Sequence, residues 1–338
     1  MKKPSTQPPT LTIQSSTLKG RRAFLEAGAG AAAWLFGRPL AAATFPHVPG
    51  DVLPLGVITY SFASMPLKPF AVAEYARQAG LRTVELKIEH LQLDAGAPGG
   101  GKRINKFDKD LRAKYDDWFK SVTLDTYKEL RKKYDDLGMG VHILKVAIGE
   151  KSCREGGTAD FWCDVAHALG ADEITMEMPG PKQWPKVGPF FASLCQRHGI
   201  KVGFHNHLQL KPDTYTGTDT IFQYSKDIGL CFDIGHFVAS NGRDEALPFV
   251  KRHHDRIFSY HIKDRKSLAP KTPAVPFGEG DVPFKELFAL AKKEGWIVPG
   301  DIELEYAYDR KTTDAAKEVA KCAAHCRKLF SEICKEMT

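Results

Sequence analysis

The chain has 338 residues, 43% of them hydrophobic and 26% charged, with a formal charge of +7. Residues 1–43 hold six basic side chains against Glu26, so five of those charges lie there; the near +2 that remains gives no electrostatic case for a nucleic-acid partner. Seven cysteines without a C-x-x-C pair do not support a disulfide framework, and Cys322, Cys326 and Cys334 on one helical pattern are expected to pack as small hydrophobes.

The first element is a leader. Lys19-Gly20-Arg21-Arg22-Ala23-Phe24-Leu25 precedes an Ala- and Gly-rich apolar stretch from Ala27 to Phe36, then Ala41-Ala42-Ala43. Paired arginines, a modest apolar region and an A-x-A-like site read as a cleavable twin-arginine signal over 1–43. The apolar run is far short of the roughly 20 residues a membrane span needs, so no stable membrane anchor is expected. The pattern resembles signals read by the twin-arginine export machinery, which moves folded proteins. It implies a periplasmic product that takes up its metal before export.

Residues 44–338 form one domain by pattern. Apolar runs predict strands near 55–60, 83–88, 141–147, 173–178, 201–206, 230–235, 257–262 and 301–305. Helical patterns lie between them, at 70–78, 124–137, 161–169, 189–197, 220–226, 245–253 and 284–293, with a last one over 313–335. Gly80, Gly138, Gly170, Gly199, Gly229 and Gly295 each stand where a helix ends and a strand follows. Eight βα units in strict alternation predict a (β/α)8 TIM barrel, with its chemistry at the C-terminal ends of the strands. Two long loops, 92–121 and 265–283, follow strands two and seven and are expected on that face as lids.

Four signals fall at the last four strand ends: Phe204-His205-Asn206-His207, Asp233-Ile234-Gly235-His236, His261-Ile262-Lys263-Asp264 and Glu303-Leu304-Glu305. Residues two apart on a strand share a face, so His205 and His207 point one way, as do Glu303 and Glu305, one deeper and one at the rim. His236 follows Gly235, where a loop is expected to turn it inward. Carboxylates and imidazoles gathered without a cation are costly to bury. The expected site is therefore a mixed N/O divalent-metal centre drawing on His205, Asp233, His261, Glu303 or Glu305, and Glu177.

Asp233-x-x-His236, His261-x-Lys263-Asp264, Phe277-Gly278-Glu279-Gly280-Asp281 and the strand-eight Glu together resemble the xylose isomerase-like barrel superfamily of sugar isomerases and epimerases, from Leu55 to about Cys334. The resemblance implies one divalent cation, manganese first and Zn, Co, Fe or Mg as alternatives, held by His205 or His207, Asp233, His261 and Glu303 or Glu305. Epimerases of this group carry Glu on strand five as half of an acid/base pair. This chain has His-Asn-His there, and Glu177 at the end of strand four is the candidate replacement carboxylate.

Such a site removes a proton beside a carbonyl through an enediolate, giving isomerisation, epimerisation or β-elimination. Candidate acid/base groups are His205 or His207 with Glu177 or Glu305. Lys145, Lys263 and Arg265 are candidates to orient hydroxyls, beside His236. Tyr60 and Trp184, with Phe62, Phe237 and Tyr306, are candidate sugar-stacking walls. Export, together with the lack of a P-loop, favours an unphosphorylated sugar, polyol or keto-glycoside. Two alternatives are a non-catalytic sugar-binding barrel and an endonuclease IV-like nuclease. The nuclease reading lacks its further Asp-x-His, since residues 265–280 hold neither Asp nor His.

Overall fold

A computed structural model of the chain describes residues 48, 50–99, 108–148, 157–210, 219–220 and 222–337. The leader expected over 1–43 lies outside them. Strands β1 (Leu55–Ile58), β2 (Thr83–Lys87), β3 (Gly140–Lys145), β4 (Glu173–Glu177), β5 (Lys201–His205), β6 (Ile228–Asp233), β7 (Ile257–Ile262) and β8 (Gly300–Ile302) pair in order. All pairs are parallel, and β8 returns to β1 through Leu55 opposite Gly300 and Val57 opposite Ile302. The predicted eight-stranded closed barrel is what forms.

Leu-Gly-Val-Ile and Ile-Gly-Leu-Cys-Phe-Asp are buried at every position, as expected for parallel strands covered by helices outside and filled within. Gly80, Gly138, Gly170, Gly199 and Gly295 adopt positive φ after their helices, as the sequence pattern predicts. Gly229 is different: it lies inside β6, where an added Cβ would stand 2.4 Å from the Arg256 carbonyl oxygen. It is there for close approach, not for a cap.

The barrel interior is polar. His142 Nε2 lies 2.8 Å from Asp301 Oδ2 and its Nδ1 2.7 Å from Thr83 Oγ1, while Ser259 donates to Glu173. Neighbouring glycines open the space. A Cβ at Gly56 would stand 2.4 Å from Asp301 Oδ1, and one at Gly203 2.2 Å from Glu173 Oε1.

The described residues of the insertion after β2 form two helices. Helix α1 (Ile88–Asp94) follows the strand directly, and helix α2 (Lys109–Ser121) carries Tyr115 and Phe119, whose rings stack 6.0 Å apart. Phe119 packs in turn on Phe161 of helix α3 (Gly157–Leu169), outside the barrel. The helix expected from Pro189 begins at Trp184 instead and runs to His198 as α4. Pro185 sits in its first turn, where the missing N–H costs nothing. The 220–226 pattern stops being helical after Phe222.

Candidate metal centre

Register brings the strand ends together. Glu177 on β4 stands opposite His205 on β5, and Asp233 on β6 opposite His261 on β7. One donor atom each from His205, Asp233, His261 and Glu303 lie within 4.8 Å of one another, all on buried residues. His205 Nε2 is 3.4 Å from Asp233 Oδ2 and 3.9 Å from Glu303 Oε2, and His261 Nδ1 is 3.1 Å from the same Glu303 oxygen. Bonds of about 2.0–2.2 Å in a tetrahedral site require ligand separations of roughly 3.3–3.6 Å. The donor set fits a divalent cation.

Both imidazoles are also clamped from behind. Glu177 Oε2 lies 3.2 Å from His205 Nδ1, and Glu85 Oε2 lies 2.5 Å from His261 Nε2. A carboxylate on one ring nitrogen fixes the tautomer and leaves the other nitrogen free to ligate, as around known metal sites. Glu85, buried in the middle of β2, escapes the sequence reading. Burial pushes its carboxyl up, but His261 and Lys145 outweigh that and hold it at about 2. It also accepts from Thr175 Oγ1 at 2.5 Å, and with Cys231 and His261 it forms a smaller buried cluster.

The two paired motifs split by depth as the strand period predicts. His205 is buried, whereas the side chain of His207 is 54% exposed, with its Nε2 2.7 Å from Glu177 Oε2. The hydrogen bond to Glu177 raises His207 above the usual imidazole range. Glu303 is likewise deep and Glu305 at the rim. Burial works against the charge on Glu303, yet Lys263 and His261 keep it well below the ordinary carboxylate range. Lys145, mostly buried and 3.3 Å from Glu177 Oε1, is raised to about 12 by Glu85 and Glu177 against its desolvation.

The segments beyond β6 and β7 explain the rest of the motif. A helix, α5 (Ile234–Asn241), starts at once after β6, so His236 stands in its first turn and not in the expected loop. Asp233 caps that helix by accepting from the His236 amide through Oδ1, which leaves Oδ2 for the centre. A Cβ at Gly235 would stand 2.4 Å from the Lys263 carbonyl oxygen, so glycine lets α5 lie against β7. Asp264 faces away from Lys263 and accepts from the amides of Gly278, Gly280 and Val282, pinning the loop after β7. Arg265 reaches His236 Nδ1 at 2.7 Å and donates to the Pro270 carbonyl oxygen, so it braces the same loop.

A chamber of about 170 Å³ opens beside these groups, lined by Ile58, Tyr60, Lys87, Lys145, Glu177, His205, His207, Glu303 and Glu305. A cavity of about 410 Å³ shares Tyr60 and Glu305 with it and adds Arg265, Tyr306, Tyr308 and Arg310. Tyr60 is 42% exposed and stands where a stacking wall would. Trp184, Phe62 and Phe237 do not: all three are packed in the hydrophobic core. Nor do Glu305 and Glu177 join the four-donor group. Glu305 Oε2 accepts from Lys263, and Glu177 groups separately with His205 and His207.

The family described as "Xylose isomerase-like TIM barrel" matches residues 73–328. The chain belongs to this family. Among curated proteins, the inosose dehydratase of Salmonella agona (strain SL483) is 29% identical over 125 residues, covering 31% of this chain and 41% of that protein. The chain thus matches less than half the length of that relative. Two solved structures share the fold. The xylose isomerase domain protein from Planctomyces limnophilus superposes with a TM-score of 0.59 at 14% identity, covering 86% of this chain and 100% of that one. The IolI protein with a bound zinc atom gives 0.56 at 13% identity, covering 83% and 99%.

Proposed function

We propose that the chain is a divalent-metal-dependent enzyme that removes a proton beside the carbonyl of an unphosphorylated polyhydroxylated ketone, with β-elimination as the favoured outcome and epimerisation or isomerisation as the alternative. The observation that carries this is the convergence of His205, Asp233, His261 and Glu303, with each imidazole clamped on its other nitrogen by Glu177 or Glu85. Inosose dehydratases among the relatives favour elimination from a cyclic polyol ketone. When bound, the cation polarises the ketone oxygen and stabilises the enediolate left by proton loss. Manganese follows from the family resemblance and zinc from the IolI relative.

The remaining steps belong to this chain's side chains. His205, deep and doubly engaged, serves as ligand, which leaves His207 at the chamber rim as the base. Glu177 orients the His207 ring and takes up part of the positive charge as the ring gains the substrate proton. The electron pair of the broken C–H bond moves onto the carbonyl oxygen; it returns to form a C=C bond as the β-substituent leaves with its own pair. Glu305, at the rim, supplies the second acid/base position. Lys145 holds a substrate hydroxyl, and Tyr60 stacks on the ring.

We further infer that Arg21-Arg22 directs twin-arginine export to the periplasm. Cell fractionation with Arg21 and Arg22 replaced by Lys tests it; processing that survives the change would refute it. The enzymatic reading is tested by elemental analysis of the protein beside Asp233→Ala. One Mn or Zn per chain, absent from the variant, is expected, followed by solvent deuterium entering a cyclic keto-polyol or keto-glycoside. Equal metal content in both proteins would overturn the site.

A further inference from the structure

Lys263 holds a position that no hydroxyl-orienting residue needs. Its side chain is 1% exposed, and its ammonium lies 2.9 Å from Asp233 Oδ2, 2.9 Å from Glu303 Oε2 and 2.6 Å from Glu305 Oε2. The first two oxygens belong to the four-donor group that fits a metal ion. The ammonium therefore neutralises the very atoms a divalent cation would use. A cation bonded to those oxygens at about 2.0–2.2 Å would stand no more than about 5 Å from an ammonium 2.9 Å away from them. Two like charges at that separation in a buried site repel strongly.

A fourth contact is one that the ammonium shares with Arg265. Its nitrogen is 3.0 Å from His236 Nε2, while His236 Nδ1 is 2.7 Å from the Arg265 guanidinium. A neutral imidazole has one accepting nitrogen, and ammonium and guanidinium are both donors only, so His236 can accept from just one of them. Asp233 Oδ2 lies 4.0 Å from His236 Nε2. Withdrawal of Lys263 would let His236 accept from Arg265 and donate from Nε2 towards Asp233, while Glu305, outside the four-donor group, stays within the ammonium's reach.

We propose that Lys263 is the resident counter-ion of the metal-free site, and that loading is an exchange in which its ammonium yields Asp233 and Glu303 and keeps Glu305. The inference rests on the metal-centre reading above, which it deepens. Lys263 thereby offsets the charge of Asp233 and Glu303 when no cation is bound and weakens the affinity of the same donors for cations, so that only a tightly held ion displaces it.

The test compares the wild type with Lys263→Met, a substitution of similar volume. Zinc affinity is measured by competition with a chromogenic chelator, and Tm is measured in EDTA and in zinc. Lys263→Met is expected to bind zinc at least about tenfold more tightly, to melt about 5 °C or more lower in EDTA, and to regain that loss with zinc. Zinc affinity equal to wild type within about twofold, or weaker, overturns the exchange and leaves the metal centre standing. Failure of both proteins to bind zinc overturns the metal centre itself, and the exchange with it. Should the variant fail to fold, NMR of wild-type protein labelled with ¹⁵N-lysine decides. A slowly exchanging ammonium signal seen in EDTA should shift or vanish with one equivalent of zinc, and a signal unchanged beside bound zinc overturns the proposal.

Discussion

At the lower end of the barrel interior, His142 is held between Asp301 and Thr83; at the upper end, His261 is held between Glu85 and Glu303. Both imidazoles are buried and both touch a carboxylate, yet the surroundings differ. The lower pair is enclosed by strands, with glycines giving room to its carboxylate. The upper one groups with His205 and Asp233 as well as Glu303, and His205 and Glu303 line a chamber that also includes Glu305 and His207. In the lower group each ring nitrogen of His142 meets an oxygen, and His142 lines neither the chamber nor the larger cavity beside it. In the upper group two ring nitrogens and two carboxylate oxygens point at one spot, and a lysine ammonium has to neutralise them. Residue type and burial do not separate a structural polar cluster from a functional one. Convergence of surplus donors on an opening does.

The largest effect on turnover should come from the rim of the upper group. His207→Ala removes the base but none of the four converging donors. We expect turnover to fall by about 10²–10⁴-fold with metal content unchanged, measured by steady-state kinetics beside elemental analysis. Loss of metal in parallel would mean that His207 is a ligand, and the division between floor and rim would fail.

Glu85→Ala should act one layer down. Without its clamp, His261 loses its fixed tautomer, and zinc or manganese affinity is expected to fall by about 10–100-fold. Glu85→Gln should recover most of the loss, because its side-chain carbonyl still accepts from His261 Nε2. If Glu85→Ala binds metal like the wild type, Glu85 belongs with the lower, structural cluster.

Much of this arrangement was legible before the structure. Alternating apolar runs and helix-ending glycines predicted the barrel, and the strand period of two predicted that one of His205 and His207, and one of Glu303 and Glu305, lies deep with its partner at the rim, without saying which. What escaped depends on contacts across the barrel. Glu85 meets His261 from 176 residues away in sequence, and nothing near either residue announces the partnership. One signal was available: a lone Glu inside a strand whose other residues are apolar or Thr, up to its terminal Lys. The expectation of Trp184 as a stacking wall fails because its helix begins at Trp184, with Pro185 and not Pro189 in the first turn, and the indole packs in the core. Gly235 makes no turn towards a loop: its missing side chain lets α5 lie against the Lys263 backbone, which puts His236 on a helix.

The smallest effect on chemistry is expected from the lower cluster, and this gives the comparison its control. His142→Ala strips Asp301 of its partner in a fully buried setting and leaves Thr83 without one of its own. Removing one member of such a pair costs about 3–5 kcal/mol of stability, because the other polar group stays buried and uncompensated. Urea denaturation in EDTA should show that loss. Metal affinity should stay within about twofold of wild type, because His142 hydrogen-bonds Asp301 and Thr83, neither of which is among the four donors. A large fall in metal affinity would mean that the two layers of the interior respond as one network, with the barrel floor setting the position of His261 through Asp301, its neighbour in register on β8. The distinction drawn here between stabilising and ligating imidazoles would then have to be replaced by a single coupled column of charge.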